Sequence, residues 1–386
     1  MKIGFLFNHY MGHQVLHSAP IAFALSIKYP DVDVSIMVSD KNQLEVVRRV
    51  EKRWPSHNCD ILMADVPAYV NIVEKLAQKF AFVRKYFVLK CNKNYFKNLD
   101  VLVVPEVTSL KLKQEPGLEL LKIVMVPHGA GDRAVGFSKE FCKFDLLLVA
   151  GEKIYDRLKD ETGVKPERME ITGYPKFDVI GHRKHEPIFD NENPTVLYNP
   201  HFQQGLSSYQ EWGRQVLDFF VENPQYNVIF APHVILYLRQ WRHKAFSVEK
   251  YKKYPNIHID VGSQRSIDMT YSEQADIYMG DVSSQVYEFL TVLRPCLFLN
   301  PHKFKWQNDA NFTHWKFGPV VDDISTLGDV LDDIKNSHKK KYKAVQKELF
   351  NHTFSLSEYP SSYRAADALV EHFAAPQKAI ANSVDY

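Results

Sequence analysis

The feature that most constrains this chain is an alternation that repeats along nearly its whole length. Short apolar runs rich in Val, Ile and Leu are each followed by a longer amphipathic stretch. In the first half the runs are 2–7 (KIGFLF), 32–38 (VDVSIMV), 100–105 (DVLVVP), 122–127 (KIVMVP) and 144–151 (FDLLLVAG). In the second half they are 195–200 (TVLYNP), 226–232 (YNVIFAP), 256–260 (NIHID), 276–280 (DIYMG) and 295–300 (PCLFLN). Nearly continuous apolar runs suit parallel strands covered on both faces, and intervening segments such as 42–54 carry apolar residues at helical spacing. The pattern predicts an α/β, doubly wound architecture.

The polar, proline-bounded stretch 181–194 (GHRKHEPIFDNENP) interrupts this rhythm and reads as a linker. At 386 residues the chain exceeds one ordinary core. Two Rossmann-like domains facing a cleft are therefore expected: 1–182, 194–350, and a C-terminal helix and tail over 351–386. With 45% hydrophobic residues, 24% charged and a net charge of +2, the composition argues against nucleic acid as a partner. The four cysteines, Cys59, Cys91, Cys142 and Cys296, form no close pair, which argues against a zinc site or a disulfide framework. The opening MKIGFLFNHYMGH has too short an apolar run for a signal peptide, and no stretch approaches a membrane span, so a cytoplasmic protein is expected. There is no G-x-G-x-x-G, so dinucleotide redox chemistry lacks its fingerprint.

In open α/β sheets ligands lie beyond the carboxyl ends of the strands. Those ends carry most of the chemistry here. After 122–127 come His128, Gly129, Gly131, Asp132 and Arg133; after 195–200 come Pro200 and His201; after 226–232 comes His233; after the first run come His9, His13 and His17. Histidine at such places serves as a general base or a phosphate donor. Glycines at 129 and 131 permit a tight turn with exposed N–H groups, beside which Asp132 and Arg133 would orient a base and neutralise an anion. His9, His13 and His17 share an i, i+4, i+8 stripe, but no carboxylate accompanies them and no metal is expected. After 276–280 comes Asp281, then the pair Ser283–Ser284, then Glu288. A serine pair at that point is either a simple helix cap or a phosphate clamp made of hydroxyls and free amides.

Five motifs in order, PHG (127–129), GYPKFD (173–178), YNP (198–200), APH (231–233) and GDVSSQVYEFLTVLRPCLF (280–298), resemble those of the CDP-glycerol glycerophosphotransferases of teichoic-acid and capsule synthesis. The likeness covers about residues 120–300, and the serine-pair motif is its most specific part. It implies a GT-B fold and attack of an acceptor hydroxyl on the β-phosphate of CDP-glycerol, releasing CMP. By this resemblance His128 would deprotonate the acceptor and His233 would hold the donor's pyrophosphate. Ser283 and Ser284 would grip phosphate, and Glu288 would meet the ribose. Gly173, Pro200, His201 and Asp281 fall in donor-side motifs, and His13 is the alternative base. No cofactor is implied beyond a nucleotide-linked donor, and the acceptor would be a glycan or lipid-linked. The chain departs from the family where Asp132 and Arg133 follow the His-Gly instead of a lysine, where Pro127 replaces a tryptophan, and where His201 replaces a smaller residue. These leave the transferred group open, with a CMP-sugar transferase or a sugar-nucleotide 2-epimerase as alternatives.

The stretch 79–97 (KFAFVRKYFVLKCNKNYFK) has six Lys/Arg, no acidic residue, and aromatics at 80, 82, 86, 87, 95 and 96. It is either a peripheral contact with the anionic inner face of the cell membrane or a core helix with a solvated basic face.

Overall fold

The computed structural model describes residues 1–8, 12–70, 83–180, 186–239 and 241–374. The chain divides into two compact units. Unit 1 comprises Met1–His128, Phe137–Gly181 and His352–Tyr386; unit 2 comprises Gly129–Gly136 and His182–Asn351. The partition expected from sequence differs in two places. The Gly129–Gly136 segment belongs with unit 2, and the chain from His352 onward belongs with unit 1.

Unit 1 is built on a parallel seven-stranded sheet of order β3-β2-β1-β4-β5-β6-β7. The strands are β1 (Lys2–Phe7), β2 (Asp33–Val38), β3 (Cys59–Met63), β4 (Val101–Val104), β5 (Lys122–Met125), β6 (Leu146–Val149) and β7 (Met169–Ile171). Five match the apolar runs; β3 and β7 were not anticipated. Both lie at sheet edges, where one flank lacks a neighbour, and they carry exposed Asp60 and Glu170 instead of a continuous apolar sequence. Helix α1 (Val15–Lys28) follows β1, and α2 (Lys41–Glu51) starts where the Asp40 side chain accepts the Gln43 N–H at 2.9 Å, an ordinary N-cap.

Helix α1 is buried along almost its full length, so it needs cover beyond the sheet. The C-terminal helix Ser361–Ala374 supplies it, with Ala365, Ala366 and Leu369 buried and the Asp367 carboxylate accepting from Tyr29 Oη at 2.7 Å and pairing with Lys28. That burial is why this helix belongs to unit 1. It is held at its start by the GYPKFD motif. The Tyr174 N–H donates to Ser361 Oγ (2.9 Å), and the Asp178 carboxylate accepts the N–H groups of Ser361 (3.3 Å) and Ser362 (2.6 Å). These amides are orphan donors of the helix start, and the aspartate satisfies them from a distant part of the chain.

Unit 2 carries a parallel six-stranded sheet of order β10-β9-β8-β11-β12-β13. Its strands are β8 (Thr195–Asn199), β9 (Asn227–Phe230), β10 (Ile257–Ile259), β11 (Ile277–Gly280), β12 (Cys296–Leu299) and the two-residue β13 (Val320–Val321), which is too short to announce itself in sequence. Its core gathers Val196, Tyr198, Phe230, Ile277, Met279 and Leu297. In both sheets the chain order runs outward from a central pair and reverses beside the first strand, the doubly wound arrangement.

Part of the basic stretch, residues 79–82, lies outside the described residues. The remainder forms the helices Arg84–Cys91 and Lys93–Lys97. Val88, Leu89 and Phe96 are buried in the core, Arg84 donates to the Ser39 carbonyl (3.1 Å), Lys85 to Thr108 Oγ1 (3.1 Å), and Lys93 pairs with Glu115. Half of this surface is therefore engaged within unit 1, while Tyr86, Lys90 and Lys97 stay exposed. Among the described residues no helix is long and apolar enough to cross a membrane.

Candidate functional site

In unit 1 the chemistry collects at the carboxyl ends of β1, β4 and β5. His128 follows β5, and its Nδ1–H donates to the carbonyl of Pro105, the residue after β4, at 2.8 Å. That bond selects the tautomer whose lone pair lies on Nε2. The side-chain amide of Gln14 stands 3.3 Å from Nε2, and the His13 ring centroid is 5.6 Å away. The His128 side chain is open to solvent at its edge but crowded by protein, and that desolvation lowers its pKa below the ordinary histidine value despite the Pro105 bond. His17 is buried edge-on against the Tyr174 ring, and burial, followed by the positive field of Lys176 and by His128, pushes its pKa well down. His9 lies outside the described residues. Among the described residues no group of three His, Cys, Asp or Glu side chains is placed to hold a metal ion.

In unit 2 the loop Gly129–Gly136 lies against the start of the helix Gln285–Phe289. A Cβ on Gly131 would stand 3.0 Å from Ser284 Cβ. One on Gly129, whose φ is +112°, would stand 3.5 Å from Ser284 Oγ. At Gly129 the positive φ favours glycine, and at Gly131 a side chain would press on Ser284. The two serines then part ways. Ser283 is buried, and its Oγ accepts the Gln285 N–H at 3.3 Å, the local cap. Ser284 is exposed and its hydroxyl makes no cap bond. The helix has five residues, too few for a sizeable dipole.

Asp132, expected to orient a base, is instead a buried anchor. Its carboxylate accepts from Tyr287 Oη (2.7 and 2.8 Å), from the His314 N–H (2.9 Å) and from His314 Nδ1–H (2.8 Å). His314 Nε2 stands 2.9 Å from the Asp281 carbonyl, which accepts the Trp315 indole N–H at 2.7 Å. This anchor is what fastens the 129–136 loop to unit 2.

Asp281, expected on the donor side, is likewise internal. Its carboxylate accepts from the N–H groups of His201 (2.9 Å), Ser208 (2.6 Å) and Val282 (2.6 Å) and from Ser208 Oγ (3.0 Å). Burial pushes its pKa above the ordinary aspartate value, and those four donors oppose that shift. Its work is to shape the turn after β8 that carries His201. Pro200 acts through its carbonyl, which accepts the His233 N–H at 3.0 Å and so docks the β9 turn onto the β8 turn. Gly173 is corrected as well. It sits in unit 1 with φ +88°, where a Cβ would run into Ser361 Oγ and the Ser355 carbonyl, so it is a close-packing glycine at the C-terminal helix. Glu288 is buried on the helix Gln285–Phe289.

The β8 and β9 turns bring together His201, Phe202 and His233. Ring centroids lie 5.3 Å apart for His201–His233 and 4.7 Å for Phe202–His233. His233 Nδ1 accepts the Ile235 N–H at 3.3 Å, which leaves its proton on Nε2. Arg133 reaches the same place: NH1 is 3.0 Å from His201 Nε2, and NH2 donates to Gln203 Oε1 at 2.6 Å. Gln203, Gln14, Tyr287 and His314 were missed from the sequence. The two glutamines sit in the same strand-end loops as the nominated histidines and were legible by position. His314 lies in the 3-10 segment Ala310–Phe317, far from any run that signals a site. A separate depression of about 890 Å³ in unit 2, lined by Arg214, Tyr237, Trp241 and Phe246 among others, includes none of the nominated residues.

Two doubly wound parallel sheets with histidines and hydroxyls at their strand ends are the architecture of the GT-B-type nucleotide-donor enzymes. The chain belongs to the CDP-Glycerol:Poly(glycerophosphate) glycerophosphotransferase family, whose profile matches residues 117–370, about two thirds of its length. It is 20% identical over 279 residues to a teichoic acid glycerol-phosphate transferase of Staphylococcus aureus (strain NCTC 8325 / PS 47), covering 66% of this chain and 67% of that one. In fold it is similar to the wall teichoic acid polymerase TagF, with TM-score 0.64 and 14% identity over 96% of this chain and 88% of the other. It is also similar to a UDP-N-acetylglucosamine 2-epimerase-like protein from Listeria monocytogenes, with TM-score 0.61 and 14% identity over 97% and 96% of the two chains. At these identities the structural likenesses speak for the fold alone.

Proposed function

We propose that this transferase moves glycerol phosphate from CDP-glycerol to a hydroxyl of a glycan or lipid-linked acceptor and releases CMP. The observation that carries the reading is the Pro105 carbonyl holding His128 Nδ1–H, because it leaves the lone pair on Nε2 as a base while desolvation holds the ring's pKa below the ordinary histidine value. The acceptor hydroxyl gives its proton to His128 Nε2. Its oxygen forms a bond to the β-phosphorus as the bond from that phosphorus to the bridging oxygen breaks, and the electron pair leaves with CMP. Unit 2 supplies the donor's grip through the exposed Ser284 hydroxyl and His233 Nε2–H.

The test is to incubate the protein with CDP-glycerol and a glycerol-phosphate-primed acceptor and to measure CMP release and acceptor growth. Thermal-shift titration with CDP-glycerol, a CMP-sugar and a UDP-sugar runs beside it. A response to UDP-sugars alone would replace this reading with the epimerase one, and a response to CMP-sugars alone with sugar transfer.

The reading also places the enzyme in the cytoplasm, at the inner face of the membrane. Its four cysteines are unpaired, which suits a reducing compartment, and Tyr86, Lys90 and Lys97 offer an exposed basic-aromatic surface. Exchanging Lys90 and Lys97 for glutamate should abolish salt-sensitive sedimentation with anionic vesicles. If the wild type ignores such vesicles at low salt, this surface is an ordinary solvated helix face and the membrane reading falls.

A further inference from the structure

Three groups in unit 2 make a contact that no protonation state of His201 satisfies. The backbone N–H of Gln203 donates to His201 Nδ1 at 3.1 Å, and Arg133 NH1 stands 3.0 Å from His201 Nε2. Both neighbours are donors, and a guanidinium has no lone pair to offer in exchange. A neutral imidazole has one lone pair. With the lone pair on Nδ1, the Nε2–H points at the Arg133 N–H; with it on Nε2, the Nδ1–H points at the Gln203 N–H. A protonated ring opposes both. The backbone donor cannot move without rebuilding the turn after β8, so the arrangement leaves His201 Nε2–H and Arg133 N–H as two donors converging on one another.

We infer that Arg133 and His201 form a receptor for a phosphate oxygen, and that the group it takes is the second phosphate of a nucleoside diphosphate, the one that CDP has and CMP lacks. An anionic oxygen bridging the two donors removes the conflict. The receptor is pre-oriented by a single residue. Gln203 holds His201 through its backbone N–H and holds Arg133 through Oε1, which accepts from NH2 at 2.6 Å. His201 is only 5% exposed, so its ring cannot rotate away to relieve the contact through water. Arg133 is half-buried, and its NH2 bond to Gln203 leaves NH1 as the donor that would face the bridging oxygen. The assignment to a second phosphate follows from the loop. A Cβ on Gly131 would stand 3.0 Å from Ser284 Cβ, and Arg133 follows two residues on, so the loop that carries Arg133 also passes the serine that would take the neighbouring phosphate.

This inference rests on the reading of a cytidine-diphosphate-linked donor, and its test separates the two. Affinities of CMP and of CDP are measured by calorimetry for the wild type, Arg133→Met, His201→Phe and Gln203→Leu. Loss of a charge-assisted pair of bonds predicts CDP binding weakened about 10–100-fold in Arg133→Met and His201→Phe, with CMP binding unchanged, and a smaller CDP-selective loss in Gln203→Leu. Unchanged CDP affinity, or an equal loss for CMP and CDP, overturns the receptor. If His201→Phe fails to fold, Arg133→Met, at a half-buried side chain, decides alone. Should the wild type bind CDP through Arg133 yet transfer no glycerol phosphate from CDP-glycerol, the receptor stands and the proposed function falls.

Discussion

Asp132 and His314, 182 residues apart in the chain, are joined twice. One carboxylate oxygen accepts both the backbone N–H and the Nδ1–H of the histidine, at 2.9 and 2.8 Å, with both side chains buried. The pair ties the Gly129–Gly136 loop to unit 2 and so sets where Gly131 meets Ser284. Removing one member of a buried pair leaves the other uncompensated, which typically costs about 3–5 kcal/mol. Asp132→Ala should therefore lower the unfolding free energy of unit 2 by that order in denaturant titration. A loss below about 1 kcal/mol would mean that the loop is held by other contacts.

His128→Ala should reduce turnover by about 10²–10⁴-fold while leaving CMP affinity intact, the mark of a general base. The base works when neutral, and desolvation places its pKa below 6.5. The wild-type rate should hence be flat around pH 7 and fall only as pH drops below that value. An acidic limb centred above pH 7 would point to a different ionisation.

Stability should fall in the same acidic range. Burial depresses the folded-state pKa of His17 and of His201 well below the 6.5 of an unfolded histidine. Between the folded values and 6.5 the unfolded chain binds more protons, so unfolding free energy rises with pH through that window. Above 6.5 both states are deprotonated and these residues contribute no slope. Chemical denaturation at pH 5.5 and 7.5 checks the sign. Greater stability at pH 5.5 would contradict the burial of these rings.

The adjacent serines should respond differently to replacement by alanine. Ser283→Ala removes a cap bond and costs about 1 kcal/mol of stability with little change in nucleotide binding. Ser284→Ala leaves stability unchanged and weakens CDP-glycerol binding. Identical behaviour of the two variants in both assays would return the pair to a single role.

Asp178→Ala strips the start of the C-terminal helix of its acceptor, at about 1–2 kcal/mol. The effect should be local. Amide exchange should accelerate across Ser361–Ala374 more than in β8–β12. Uniform acceleration throughout the chain would show that the helix and the sheets open together.

The central strands were legible because a strand flanked on both sides in a parallel sheet must be apolar on both faces, and β1, β2, β4–β6, β8, β9, β11 and β12 are written that way. Strands β3 and β7 were hidden because that demand lapses at an edge, and β13 because two residues make no run, whereas β10, also at an edge, was legible in NIHID. The histidines at strand ends could be nominated from the same rule, since carboxyl ends of parallel strands point into loops that build sites. What each polar residue does there was a different matter. Asp132, Asp178 and Asp281 look alike in sequence, each a lone aspartate in or just after a strand-end motif. One pins a loop, one caps a distant helix and one shapes a turn. Hydrophobic pattern is a local property, since every residue of a strand or helix faces burial through its own neighbours, and so the chain alone determined the two sheets and the places where chemistry gathers. The role of a carboxylate or an imidazole depends on which donors meet it. Those donors, His314 for Asp132 and Arg133 for His201, come from far along the chain, and only the closed tertiary structure selected them.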